Sequence, residues 1–205
     1  MIRKISPGEL SAMREREQRP DLLDLRPVYE FIEGSIEGAM NLPGAEADFL
    51  SHLKKIWLYP GQVVLIAPLQ DIQDKVASVV REMGGDTVGY VPFRDWAREN
   101  RPVRRIQSIS LDEVMERRRQ LVLVDVRTPE EWERRHIPGS VNWPLSQLRT
   151  ASAVLDKNTE VVVFCAGEYR GLAGAAKLRD LGYSVNYLTG GVSAWHEHSL
   201  GTSGA

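Results

Sequence analysis

Val161-Val-Val-Phe-Cys165-Ala-Gly-Glu-Tyr-Arg170-Gly-Leu-Ala-Gly-Ala-Ala-Lys-Leu-Arg-Asp-Leu-Gly182 holds the only cysteine of a 205-residue chain. Val161 to Phe164 is a short apolar, mostly β-branched run of the kind that forms a buried strand. Gly171 to Leu181 has helical composition, with Gly182 as its stop. The thiol therefore falls at a strand-to-helix turn. In such a turn successive backbone N–H groups point inward and join the positive end of the following helix to form an anion cradle. Arg170, five residues after Cys165, is placed to close that cradle with its guanidinium. These features favour thiolate, the reactive form, and predict that Cys165 titrates below the ordinary thiol value. A lone cysteine after an apolar strand is commonly a small core residue. Here Ala-Gly-Glu-Tyr-Arg follows it, which a buried continuation of the strand would not tolerate, and Cys165 is read as a nucleophile facing an anion.

The rest of the chain narrows the chemistry. Composition is ordinary, with 42% hydrophobic and 26% charged residues and a formal net charge of -2, so nothing in it calls for nucleic-acid binding or disorder. Met1-Ile-Arg-Lys-Ile-Ser-Pro lacks the apolar core of a signal peptide, and no apolar run reaches membrane-spanning length. The expectation is a cytoplasmic protein with no membrane partner. One cysteine rules out an internal disulfide and, with four scattered histidines, argues against a metal site.

The chain repeats itself. Leu23-Asp24-Leu25-Arg26-Pro27 with Glu30-Phe31 answers Val124-Asp125-Val126-Arg127-Thr128-Pro129 with Glu131-Trp132. Ile36-Glu37-Gly38-Ala39-Met40-Asn41-Leu42-Pro43 answers Ile137-Pro138-Gly139-Ser140-Val141-Asn142-Trp143-Pro144, and Ser6-Pro7-Gly8-Glu9 answers Ser110-Leu-Asp-Glu113 as a helix start. A period of about a hundred residues suits two domains. The expected division is 1–98, a linker over 99–107 in the charged Arg98 to Arg105 stretch, 108–196, and a frayed tail over 197–205. Strands at Val122 to Val126, Ser140 to Trp143, Val161 to Phe164 and Val185 to Leu188, separated by helices, call for a mainly parallel sheet flanked by helices, hence an α/β class. Ligands of such sheets gather at the carboxyl ends of strands, where Cys165 lies. In the first half Ala67 stands opposite Cys165, no arginine follows, and Pro68 removes a donor. That half also lacks the Gly190-Gly191 pair and is read as scaffold without chemistry.

Asp125-Val-Arg-Thr-Pro-Glu-Glu-Trp, His136-Ile-Pro-Gly-Ser-Val-Asn, the Cys165 loop closing on Arg170, and Leu188-Thr-Gly-Gly-Val-Ser-Ala-Trp195 together resemble a rhodanese-family sulfurtransferase domain. The chain thus resembles a tandem rhodanese with an inactive first domain and an active second one. The resemblance implies a sulfur relay without cofactor. Cys165 takes sulfur from a small sulfur-containing anion such as thiosulfate, or from a persulfide donor, and passes it to a thiol or cyanide acceptor. It also implies that Ala166, Gly167, Glu168, Tyr169 and Arg170 bind substrate. Family loops commonly have glycine three residues after the cysteine, whereas here Glu168 stands there and Gly167 precedes it. A carboxylate at that mouth opposes thiolate and thiosulfate unless it points to solvent.

Asp125 and Arg127 are read as a supporting ion pair rather than as reactants, and His136, in a Gly/Pro turn, as structural. Trp143 and Trp195 are core or rim aromatics. Two alternatives compete with sulfur transfer. A rhodanese-like phosphatase needs a longer loop than the four residues between Cys165 and Arg170. A non-catalytic sulfur-sensing or partner-binding module leaves the pairing of Cys165 with Arg170 without a reason.

Overall fold

The computed structural model describes residues 2–17, 19–43, 49–57, 61–67, 70–148 and 155–202. The chain divides into two units, Met1–Arg105 and Ile106–Ala205.

In the first unit the order is α1 (Pro7–Arg14), β1 (Asp21–Asp24), α2 (Val28–Glu33), β2 (Ala39–Asn41), α3 (Phe49–Ile56), β3 (Gln62–Ile66), α4 (Gln70–Glu82), β4 (Asp86–Val91) and α5 (Phe93–Arg98). Its sheet runs β2-β1-β3-β4, all parallel. The second unit holds β5 (Gln107–Ile109), α6 (Leu111–Glu116), β6 (Leu121–Asp125), α7 (Pro129–Arg134), β7 (Val141–Asn142), a 3-10 turn at Leu145–Gln147, β8 (Glu160–Phe164), α8 (Tyr169–Asp180), β9 (Ser184–Leu188) and α9 (Gly191–Thr202). Its sheet runs β5-β9-β8-β6-β7, again all parallel. Both units have the α/β architecture that the alternation of apolar runs demands.

β8 lies in mid-sheet, between β9 and β6, which is why its four residues Val161 to Phe164 are all buried. Side chains alternate across a strand. Val162 and Phe164 join Ile109, Leu123, Ile137, Leu188 and Val192 in a core on one face, while Val163 meets α8 on the other. α8 can come close because Gly174 has no side chain: a Cβ there would lie 2.9 Å from Val126 Cγ1 and 3.1 Å from Val163 Cγ1.

Three expectations need correction. The stretch 99–107 is mostly exposed, as a solvated linker would be, but it is not a free connection. Residues 99–105 are tied to the first unit: Trp96 Nε1 donates to the Pro102 carbonyl (2.9 Å), Arg101 to Ser11 Oγ (2.6 Å) and Arg105 Nε to the Glu33 carbonyl (2.9 Å), while Ser35 and Arg104 form an antiparallel bridge. Gln107 then opens β5, an edge strand too short to show as an apolar run. Its counterpart in the first unit is a single parallel bridge between Lys4 and Tyr90. The tail does not begin at 197, because α9 continues to Thr202; 203–205 lie outside the described residues. Finally, Ser110 and Glu113 complete a capping box on α6, but at α1 only Ser6 caps, since Glu9 pairs with Arg3 at 2.7 Å instead of reaching back.

Candidate active site

Cys165 is the first residue beyond β8, and α8 opens at Tyr169, two residues earlier than the composition suggested. Arg170 and Gly171 therefore belong to the first turn of α8, whose N–H groups have no partner within the helix. The N–H groups of Gly171, Gly167 and Arg170 act as donors toward the Cys165 sulfur.

The carbonyls of the same loop are fixed elsewhere. Val192 N–H donates to the Cys165 carbonyl (2.9 Å), and the Ser193 N–H (3.2 Å) and hydroxyl (2.8 Å) both donate to that of Ala166. The Tyr187 hydroxyl donates to the Gly167 carbonyl at 3.3 Å. With carbonyls held on the α9 and β9 side, the donors are left facing the sulfur. Two glycines make this possible. A Cβ on Gly191 would sit 2.1 Å from the Cys165 carbonyl oxygen, and one on Gly171 would meet the Tyr187 ring at 2.9 Å. Gly190 and Gly191 also have φ of +73° and +54°, which glycine adopts without strain. Tyr187, buried beneath the loop, has its hydroxyl pushed well above the usual phenol range by burial, with the nearby Cys165 charge adding to it.

Cys165 does not titrate as the sequence led us to expect. The residue is only 3% exposed, and burial pushes its thiol up, against the pull of the Gly171 N–H, the Arg170 charge and the Gly167 and Arg170 N–H groups. An isolated helix-terminus argument omits this desolvation.

Arg170 is not an open lid either. Its fork is taken by Glu131, Nη1 to Oε2 at 2.5 Å and Nη2 to Oε1 at 2.7 Å. Glu131 is itself held at the start of α7, where its Oε2 accepts from Thr128 N–H (3.1 Å) while Thr128 Oγ1 accepts from Glu131 N–H. The Arg170 guanidinium holds the Glu131 carboxyl down at about 2. Glu131 was quoted only as part of a motif. The Thr-x-x-Glu spacing shows its capping role, but nothing in the sequence names its partner across the fold. Glu168, by contrast, is an exposed N-cap residue of α8 whose side chain makes no capping bond. Ala166, Gly167 and Tyr169 are each partly exposed around the loop.

Asp125 and Arg127 form a buried ion pair. Arg127 Nε lies 3.0 Å from both Asp125 oxygens and Nη2 2.7 Å from Oδ2, while Nη2 also donates to the Arg135 carbonyl at 2.6 Å. Asn142 Nδ2 ties down the carbonyls of Asp125 (3.1 Å) and Arg127 (3.0 Å). The first unit repeats this lattice with Asp24, Arg26, the Gly34 carbonyl and Asn41. The same network thus occurs in a unit without the cysteine. His136 is structural, stacked on Trp132 with ring centroids 4.0 Å apart and Nδ1 2.9 Å from the Trp132 carbonyl. At the position matching Cys165 the first unit has buried Ala67; Pro68 lies outside the described residues.

Comparison with known proteins agrees with this architecture. The profile of the Rhodanese-like domain matches residues 6–90 and again 110–198. The chain is 36% identical over 92 residues to an HTH-type transcriptional regulator of Mycobacterium tuberculosis, covering 43% of this chain and 41% of that protein. It is 32% identical over 99 residues to a sulfurtransferase of Allochromatium vinosum, covering 48% of this chain and 92% of that one. It is 40% identical over 72 residues to the thiosulfate sulfurtransferase PspE of Escherichia coli, covering 34% of this chain and 68% of that one. Two matches in tandem span most of the sequence, and the chain belongs to the family of Rhodanese-like domain proteins.

Proposed function

We propose that the second unit is a sulfurtransferase that carries sulfur on Cys165. In the first step the Cys165 thiolate attacks the outer sulfur of a donor such as thiosulfate. The donor's S–S bond breaks, sulfite leaves with the bonding electron pair, and Cys165 becomes a persulfide. In the second step an acceptor thiolate or cyanide attacks the outer sulfur, and Cys165 departs as thiolate. The observation that carries this reading is the set of N–H donors from Gly167, Arg170 and Gly171 directed at the Cys165 sulfur, which with the Arg170 charge oppose the burial that raises the thiol and would hold the charge once an anionic sulfur forms. The names of two similar proteins, a sulfurtransferase and a thiosulfate sulfurtransferase, support it. Arg170 adds positive charge, tempered by its bond to Glu131.

A second reading has one observation in its favour. A thiol that is 3% exposed and pushed up by burial suits a module that senses or docks rather than turns over, and one similar protein is a transcriptional regulator. Intact mass after incubation with thiosulfate separates the two. One added sulfur on the native chain and none on Cys165→Ser establishes the carrier; no added sulfur with thiosulfate or with a low-molecular-weight persulfide overturns it.

A further inference from the structure

The three backbone N–H groups directed at the Cys165 sulfur are not held alike. Those of Arg170 and Gly171 lie inside α8, where the helix sets their direction. Gly167 precedes that helix, and a Cβ built on it would meet nothing within 4 Å, so no wall stands against it on that side. Glycine is also the residue whose backbone turns most freely. The direction of the Gly167 N–H is therefore decided at the other end of its peptide. In a trans peptide the carbonyl and the N–H point opposite ways, and the partner of this N–H is the Ala166 carbonyl.

Ser193 grips that carbonyl twice, through its own N–H at 3.2 Å and through its hydroxyl at 2.8 Å. The carbonyls on either side have a single bond each, from Val192 N–H to Cys165 (2.9 Å) and from the Tyr187 hydroxyl to Gly167 (3.3 Å). Turning the Ala166–Gly167 peptide over would bring the Ala166 oxygen towards the sulfur, where it would repel a negative charge instead of stabilising it. The first unit offers a contrast. Its Asp24, Arg26 and Asn41 repeat the lattice of Asp125, Arg127 and Asn142, but the grip is not repeated. Counting back two residues from Trp195 and from Trp96 sets Arg94 at the position of Ser193, and the Arg94 side chain is 75% exposed with Nε 3.7 Å from Asp95. Among the described residues no amide of α5 bonds to the Ala67 carbonyl, the counterpart of the bond from Val192 to Cys165. The grip and the thiol occur in the same unit.

We propose that Ser193 is a positioning residue for sulfur transfer: its hydroxyl, added to its N–H, keeps the Ala166–Gly167 peptide turned so that the Gly167 N–H faces the Cys165 sulfur while that sulfur carries charge. The charge appears twice in each cycle, on the thiolate that attacks the donor and on the thiolate that departs when the acceptor takes the outer sulfur. Ser193 acts through the loop and not on the reacting atoms. This rests on Cys165 being the sulfur carrier.

Ser193→Ala removes the hydroxyl and leaves the N–H bond, and Ser193→Thr keeps a hydroxyl at this exposed position. In Ser193→Ala, sulfur loading from thiosulfate, followed by intact mass, and alkylation by iodoacetamide at pH 8 should both slow about threefold to tenfold, the range of one hydrogen bond. Ser193→Thr should recover most of both rates. The Gly167 amide proton, which bonds to the sulfur, should shift less in Ser193→Ala than in the native chain as pH is raised through thiol ionisation. Ser199→Ala, which removes a hydroxyl bond of 2.9 Å to the Trp195 carbonyl on the same helix, should leave both rates within about twofold. Unchanged rates in Ser193→Ala overturn the assignment. So do equal losses in Ser193→Ala and Ser193→Thr, or in Ser193→Ala and Ser199→Ala, which reduce the hydroxyl to a support of the helix. Failure of the native chain to take up sulfur overturns the carrier instead; alkylation and the amide shift then still decide the grip, because they need only the thiol.

Discussion

Replacing Glu131 with glutamine tests how the site's charge is balanced. The native carboxylate occupies the whole fork of Arg170 and is held at about 2, compared with an ordinary value of 4.5. That difference corresponds to about 3 kcal/mol in favour of the charged form, which screening at a side chain 34% exposed reduces to about 1 to 2 kcal/mol. The folded carboxyl titrates below the unfolded one, so the pair contributes its full stability above pH 4.5 and loses it as pH falls toward 2. Glu131→Gln should therefore be less stable at neutral pH and lose less on acidification. Its effect on chemistry has the opposite sign. Without the carboxylate, Arg170 keeps its charge for the loop, so the Cys165 thiol should titrate lower and a dianionic donor should load faster. One charge at partly screened distance amounts to about 1 kcal/mol, or several-fold in the rate of loading by thiosulfate, shrinking as salt is raised. A neutral trisulfide donor should gain less. Rates of sulfur addition, followed by intact mass with both donors at two ionic strengths, measure this. If thiosulfate loading falls in Glu131→Gln as far as loading by the neutral donor does, Arg170 is being aimed rather than neutralised, and the reasoning fails.

Alkylation of native Cys165 should keep accelerating through pH 9, because the buried thiol ionises above its ordinary range; a rate that levels off below pH 8 contradicts this. Since the unfolded thiol loses its proton first, folding stability should decline as pH rises past about 9, and Cys165→Ala should remove that decline in denaturant titrations. Gly191→Ala should cost at least about 2 kcal/mol and slow persulfide formation, since its Cβ strikes the Cys165 carbonyl, whereas Gly167→Ala, with nothing within 4 Å, should shift stability by no more than about 0.5 kcal/mol. Asp125→Asn should destabilise the second unit by about 3 to 5 kcal/mol by leaving Arg127 buried without its counter-charge, seen as a lowered unfolding midpoint.

The sequence carried the fold almost entirely, because strands buried on both faces must be continuous apolar runs and the duplication lets each half check the other. β5 escaped because a three-residue edge strand with two of its residues exposed has no such run. The reach of α9 past Glu197 escaped because a small, polar composition looks like an end whether or not the helix continues through it. In the site, the position of Cys165 and the Asp125–Arg127 pair were legible from local spacing. The Glu131 bond was not, since its two ends lie 39 residues apart and only the fold brings the start of α7 near the start of α8. Nor was the thiol's behaviour, because a motif records the donors around a sulfur and says nothing of how much water reaches it. Glu168, the carboxylate that stood out against the family pattern, is exposed at a helix end, and the acid that meets Arg170 comes from elsewhere in the chain.

The grip of α9 on the loop carbonyls turns two remote amides into gauges. The N–H groups of Val192 and Ser193 bond to the carbonyls whose orientation fixes the donors around the sulfur, yet neither amide takes part in sulfur chemistry. Their exchange with deuterated solvent follows the opening of that junction alone. A persulfide or a bound anion that tightens the donor ring slows exchange at both positions, while a peptide flip in the loop frees them at once. The occupancy of a buried, spectroscopically silent atom can thus be followed from two backbone protons on the neighbouring helix.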